Sequence, residues 1–510
     1  MPTKTAHIHA RHSNSGSALI TAVIFSFIIG MLAVTFLKLA THEYRAAVRS
    51  TLYSSSFNLA ESGVELGVEA LADNEPDSST WSKSVSNYLV DRGFVGDVRL
   101  VIFDALTLDP TIYAEGTISG HDAGAVTKQV KAKLNAGFYP YEKGFSARNG
   151  IVLTGNNVML DSYNSNYGAY GESTNLDAPD GYGVAGLNKN DIVTVASDTV
   201  NAVDEGGVDQ GNADVYGYVA VSPDSVVSIG PNGMVTSYDS ETHDESRVSS
   251  DFYADFPPMY EPGGSYDDSS YTSINSSDLI VGTVDNEETE AVETTQYSIS
   301  EISLSGGGDT LVIKNNVTII MTGDISVTGQ GEIILGGYFM DTTVNGETVE
   351  GGGSYVGQDP VEGASYVSGQ LTIYTSEDIT IGGGGVTNSS GIPSDFVVYG
   401  TAEETVASDG TISASQDISI TGNGVLAATV YAPAADVDMS GGGNSGNVFG
   451  AVVGFTAKIS GNSSFHFDEA LMGTVVTNGT YTIKTWLEMT GTTASTKPLD
   501  LDPYFSEAAL

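Results

Sequence analysis

The 510-residue chain contains no cysteine, so disulfides, Cys-based zinc sites and thiol redox chemistry are excluded. Basic residues are also scarce: 19 Lys and Arg stand against 64 Asp and Glu, a formal charge of −45. The scarcity is uneven. Residues 1–49 hold five Lys/Arg (Lys4, Arg11, Lys38, Arg45, Arg49) against Glu43 alone, whereas from Gly150 onward six face fifty acids. So acidic a body repels nucleic acid, anionic lipid and acidic polysaccharide, and it reads first as a solvated surface. No cofactor is implied. Acidic loops such as Asp204–Asp209 leave room for weak Ca²⁺ binding, although that loop lacks the EF-hand and the Gly-rich nonapeptide registers. P-loop and dinucleotide fingerprints are missing too.

What is present is enough for a folded chain of two to four domains. Apolar residues make up 40% of the sequence, and 61 glycines without a G-X-Y period point to many turns between short strands. No charge occurs between Arg11 and Lys38. The run Ala18–Leu37 has the length a helix needs to cross a bilayer. Thr21, Ser26 and Thr35 within it are able to bond back to helix carbonyls. The basic residues before it predict a cytoplasmic N-terminus and a translocated body. A cleaved secretory signal fits less well, because the run is long and no A-x-A site follows. Helical patterning continues instead to Ala72, with Leu52, Leu59 and Leu66 at seven-residue spacing beside Val48, Val64, Val68 and Leu71.

The junction Ser15-Gly16 followed by S-A-L-I and an apolar helix resembles the class III signal of type IV pilins and type II secretion pseudopilins. The later stretch Glu43-Tyr44-Arg45, then Asn58-Leu59-Ala60-Glu61-Ser62-Gly63-Val64-Glu65, is similar to the start of PilX-like minor pilins. The resemblance covers residues 13–72. It implies cleavage between Gly16 and Ser17 by a prepilin peptidase, and helix packing against other pilins or pseudopilins. It also implies single-pass residence in a bacterial inner membrane, with a periplasmic body that reaches the cell surface in a filament. The glutamate expected at the fifth mature position is Thr21 here, which suits a minor or tip subunit.

The expected organisation is α+β: a leader (1–16), a transmembrane assembly helix (17–72), a small antiparallel pilin-like head (73–140), a β-helix (145–471) and a C-terminal cap or tail (472–510). In the head, Asp73–Ser79 ends the long helix. A short helix is expected at Trp81–Leu89, with strands at Val98–Leu106, Thr111–Ser119 and Ala125–Leu134. In the body, Asp324–Gly331 (DISVTGQG), Asp378–Gly385 (DITIGGGG) and Asp417–Gly424 (DISITGNG) repeat one unit, with weaker copies at Val437–Asn444 and Lys458–Ser464. Gly422, Gly441 and Gly461 lie 19 and 20 residues apart, a spacing that suits one turn of a β-solenoid. The general crossover preference predicts a right-handed parallel β-helix, with acidic insertions at Asp161–Gly183 and Glu241–Glu293. A β-sandwich is the competing fold. Phe465–Leu471 (FHFDEAL) resembles the ending of β-helical regions in exported PilX-like proteins.

Enzyme chemistry finds little footing. Asp436 and Asp438 share one strand face, as paired glycosidase carboxylates might, yet no basic cluster surrounds them to hold an anionic sugar. Ser464, His466 and Asp468 lie too close in one segment for triad geometry, and no nucleophile elbow surrounds the serine. The expected function is therefore a non-enzymatic, membrane-anchored minor pilin or pseudopilin whose acidic β-helix serves adhesion, recognition or assembly, with surface glycans among its partners. An anchored polysaccharide-active or carbohydrate-binding protein is the alternative.

Overall fold

A computed structural model describes residues 15–72, 75–90, 94–120, 124–155, 158–179, 181–199, 207–223, 225–262, 272–282, 295–344, 347–422, 425–441, 446–460, 463–493 and 496–505. The chain is mostly β, with one long N-terminal helix, and divides into two compact units: residues 1–136 with 480–510, and residues 137–479.

The first unit begins with the unbroken helix Ser15–Ala72. At ~1.5 Å per residue its 58 residues extend about 87 Å. Its first half is bare: Phe27 is 68% and Leu37 74% exposed. It is long and apolar enough to cross a membrane. Thr35 donates its hydroxyl to the Met31 carbonyl at 2.8 Å, so this polar side chain makes its bond within the helix. The second half buries one stripe, Leu52, Leu59, Ala60, Val64 and Leu71, against Val98, Leu100, Ile112, Ala114 and Val130 of the sheet. Gly63 permits the close approach, because a Cβ there would stand 2.9 Å from both Ala114 and Val98. The amphipathic continuation thus packs on its own head.

That sheet is an antiparallel meander of Thr80–Val90, Phe94–Phe103, Thr111–Gly120 and Gly124–Phe138. One expectation fails here. Trp81–Leu89 is a strand, not a helix. Its alternation is interrupted at Asn87, which takes a positive φ of 64° where the register slips between Val85 and Tyr88. The tail divides between the two units, with Val476 packed in the core of the second. Val476–Glu488 adds a fifth strand beside Gly124–Phe138, and Lys128 pairs with Glu488 at 2.6 Å.

The second unit is built from parallel pairings in three ladders. The first aligns Tyr297, Ile319, Ile373, Val398, Val430, Val452, Phe145, Val195, Val219 and Val248. The second aligns Ile274, Ile302, Ile325, Ile379, Ile418, Val437, Ala457, Ile151, Val208 and Val227. The third runs through Leu426, Val448, Phe465, Leu160, Val215 and Val235. The DISVTG-type units therefore lie directly on one another with their Ile and Val inward, and the 19- and 20-residue steps Ile418–Val437–Ala457 are single rungs. Parallel pairing of this kind is foreign to an antiparallel β-sandwich. Long bent strands contribute to two ladders at once. As a result, seven strands (Thr310–Met321, Glu332–Leu335, Ile379–Asn388, Gln416–Gly422, Val425–Ser440, Phe396–Gly400 and Gly369–Thr375) form a closed ring of parallel pairings, barrel-like in connectivity.

The order of the ladders departs from the order of the sequence. In all three, the strands of 447–468 are followed by those of 144–163. The chain therefore joins the stack in its middle, at Gly144–Thr154, and builds outward to Val248–Ser249. It then resumes at the opposite end with Ile274 and builds back to Ser464–Asp468. Nine steps of ~4.8 Å separate the two ends, about 43 Å, and residues 250–273 at up to ~3.3 Å each are long enough to span it. The described part of this return segment makes contacts in that descending order. Phe252 N donates to Val221 O at 3.0 Å, Ala254 N to Asp198 at 3.3 Å, and Tyr431 OH to Pro257 O at 2.7 Å.

One rung is consequently spliced from distant pieces: Phe465 and Phe467 from the end of the body, Phe145 and Ile151 from its start. The Phe145 and Phe465 rings meet edge-on at 5.0 Å. Gly144, at φ 91°, places its backbone where a Cβ would stand 2.6 Å from the Phe467 ring.

Candidate functional site

The most heavily buried polar cluster lies on the outer face of this seam. Strand periodicity sends Phe465 and Phe467 inward, so His466 and Asp468 point outward, and Leu160 inward sends Asp161 outward. The parallel register sets His466 directly beside Asp161. Outward residues of such parallel strands normally meet water, but here residues 164–179 and 181–192 fold back over them. Asn188, fully buried, staples that fold: its amide donates to the carbonyls of Asn164 (2.8 Å) and Gly168 (2.7 Å), and its oxygen accepts from Asn164 N at 3.1 Å.

Beneath this cover, His466 is 1% and Asp161 0% exposed. His466 Nδ1 lies 2.5 Å from Asp161 Oδ1. The other carboxylate oxygen accepts the hydroxyls of Tyr170, at 2.6 Å, and Tyr238. The imidazole is sandwiched between Phe449, centroids 4.8 Å apart, and Tyr170, 3.8 Å apart. Tyr238 stacks on Tyr216 at 4.5 Å. Burial, then the adjacent Asp161 charge, raises both Tyr170 and Tyr238 well above the usual phenol range, so both stay protonated donors.

A second group adjoins. Asp468 accepts from the backbone N–H groups of Ser165 (2.9 Å) and Ala470 (3.1 Å). Glu469 accepts from Ser162 Oγ at 2.8 Å and Tyr182 OH at 2.9 Å. Burial raises both carboxyls above their ordinary values, against the opposing pull of these donors. The folded chain therefore holds more protons at this pair than the unfolded chain. Their contribution to stability is lost as pH rises through the unfolded and then the folded values, and it returns on acidification. Body stability is expected to rise as pH falls from neutrality toward the ordinary carboxyl range, about pH 4, helped by relief of charge repulsion, and Glu469→Gln is expected to flatten that slope. Thermal unfolding across that range reads both; a flat or falling profile would overturn the assignment.

Chemically, a carboxylate that holds Nδ1 of an imidazole is the base-and-orienter half of a nucleophilic site. No hydroxyl nucleophile completes it, since His466 Nε2 is buried with no hydrogen-bond partner among the described residues. The arrangement is closed to a substrate, and its physical work is to bind the two pieces of the spliced rung to each other and to their covering loop.

The residues flagged from sequence fare unevenly. Gly16 and Ser17 lie within the first turn of the helix, and leader residues 1–14 fall outside the described residues. Ser464, His466 and Asp468 form no triad, because His466 takes Asp161, 305 positions away, and Asp468 caps backbone N–H groups. Asp436 is bound by Thr456 Oγ1 at 2.5 Å, and Asp438 by Lys458 at 2.7 Å and Ser460 at 2.9 Å. These are cross-rung pairs on a surface. Residues 204–206 of the acidic loop fall outside the described residues, and Asp209 sits on the strand Gly207–Gly211. Among the described residues no group of three or more His, Asp or Glu is placed to hold a metal. Asp161, assigned to an insertion, is instead a buried strand residue. Val158-Met159-Leu160-Asp161-Ser162-Tyr163 does not alternate, because both faces of this strand are covered, so the sequence carried little signal for it.

A family described as a domain of unknown function (DUF7305) matches residues 269–474. The matched stretch coincides with the arm that starts at Ile274 and ends at the seam, and it leaves out the Gly144–Ser249 arm. No curated protein and no solved structure matches the chain.

Proposed function

We propose that this protein is a non-enzymatic, membrane-anchored subunit of the minor pilin or pseudopilin kind, which holds an acidic, right-handed parallel β-helix outside the inner membrane for adhesion, recognition or assembly. One observation carries the reading: a single uninterrupted helix whose first half is bare and apolar and whose second half packs on a small antiparallel sheet. A bare apolar half-helix has two stable environments, lipid and the packed helices of a filament. Continuous helix through Gly16 and Ser17, joined to the pilin-like signal, favours transfer from the first to the second. In this reading Ser17 becomes the mature N-terminus, a prepilin peptidase makes the cut, and the partners are other pilins or pseudopilins. The basic N-terminus stays in the cytoplasm. Thr21, in place of the usual glutamate, fits a subunit present in few copies or at a tip.

Intact-mass analysis of the native protein tests it. A mature chain that begins at Ser17 is the expected result, whereas an intact Met1 or a cut beyond Leu37 would sink the proposal. Gly16→Glu is expected to block the cut and leave the full-length chain in the membrane.

A further inference from the structure

The return segment creates a feature that the seam does not use. Where residues 251–256 cross the body they leave two adjoining hollows, about 300 and 360 Å³, which share Lys143, Phe252 and Tyr253. Each is the size of the smaller small-molecule sites. Tyr253 borders both hollows and is 83% exposed, and Tyr139 lines one of them and is 54% exposed. Large aromatic rings left bare in this way offer flat apolar faces beside water. Between the rings lie hydrogen-bonding groups: Glu142, Ser146 and Asp255 in one hollow, Thr194, Ser246 and Asp251 in the other.

Charge then restricts the ligand. Arg247, the one guanidinium lining the hollows, is already committed: it donates to the carbonyls of Asp191 and Gly217 at 3.2 Å, lies 3.4 Å from the Asp191 carboxylate and covers the Tyr218 ring at 4.7 Å. Lys143 is left to face Glu142, Asp251 and Asp255 in an acidic body. An anionic ligand is repelled. We propose that this double hollow binds a neutral oligosaccharide, whose C–H faces stack on Tyr253 and Tyr139 while its hydroxyls donate to the carboxylates. Alternating flat apolar faces and hydroxyl-accepting groups suit a sugar chain better than a purely apolar ligand, which would leave those carboxylates desolvated and unpaired. The inference goes beyond filament assembly and does not depend on it.

Saturation-transfer NMR on the full-length protein in detergent, with maltohexaose, cellohexaose and mannohexaose as probes and oligogalacturonate as the anionic control, tests the proposal. Transfer to the C–H protons of at least one neutral probe is expected, with none to the control. Tyr253→Ala is expected to weaken binding about tenfold, and Tyr253→Phe to keep it. The side chain is largely exposed, so an unchanged unfolding temperature verifies that the alanine variant is folded. No transfer from any neutral probe at millimolar concentration, equal transfer from the control, or binding indifferent to Tyr253→Ala overturns the proposal. None of these outcomes bears on where the N-terminus is cut.

Discussion

Replacing Phe465 by alanine is expected to cost about 3–5 kcal/mol, the upper range for a buried aromatic, and to open a strand at the other end of the sequence of the body. The side chain is 0% exposed, faces Phe145 at 5.0 Å, and pairs through its backbone with both Val448 and Leu160. The spliced rung is where the two arms of the body meet, so a cavity there loosens both. Hydrogen exchange is the measurement. Protection is expected to fall in Gly144–Thr154 and Met159–Tyr163 as well as in Asn447–Ser460. Ile302→Ala provides the contrast, because it is equally buried but lies at the far end of the stack. It should lower protection around Ile274 and Ile325 first. If Phe465→Ala loosens Asn447–Ser460 and leaves Gly144–Thr154 untouched, the two arms do not share a core.

The same connectivity bears on folding. The arm that begins at Gly144 has no partner on its seam side until Asn447–Ser460 and Ser464–Asp468 are in place, so its last contacts close loops of about 300 residues. Such contacts form late, because the loop entropy is spent before the pairing repays it. A domain matched only over 269–474 contains one arm and stops at the seam.

The sequence made the local features legible and concealed the long-range ones. The long apolar helix was readable because charge is absent across its first half, and the head strands because they alternate. The inward Ile of the DISVTG-type units was readable because each unit carries its own turn glycines. Thr80–Val90 was misread for a local reason. Trp81, Val85 and Leu89 fall four apart in the sequence and imitate a helix face, while the bulge at Asn87 breaks the alternation that marks a strand. The tail strand and the seam were hidden for a different reason. A strand's pattern reports which face is buried but not which edge it joins, and rungs read in order look like one continuous climb. His466 was noticed, but its partner was not, since only the spliced register brings Asp161 beside it.

That pair supplies the second large effect. Asp161→Ala removes the carboxylate that accepts from His466 Nδ1, Tyr170 OH and Tyr238 OH, and leaves a buried imidazole and two half-buried phenols facing the gap. Loss of one partner of a buried, hydrogen-bonded pair typically costs about 3–5 kcal/mol. Asp161→Asn keeps one acceptor oxygen but turns an NH₂ toward a donor, and is expected to cost less, about 1–3 kcal/mol. Chemical denaturation of each variant gives the numbers, and a double-mutant cycle gives the reason. His466→Phe extends an aromatic stack that already runs from Phe449 to Tyr170, so it removes the imidazole with little loss of volume. In that background Asp161→Ala strands two tyrosine hydroxyls but no imidazole. The two changes are therefore expected to be non-additive, with a coupling of about 0.5–3 kcal/mol. Strict additivity would mean that the seam is held by its phenylalanines alone and that the histidine is a passenger of the stack.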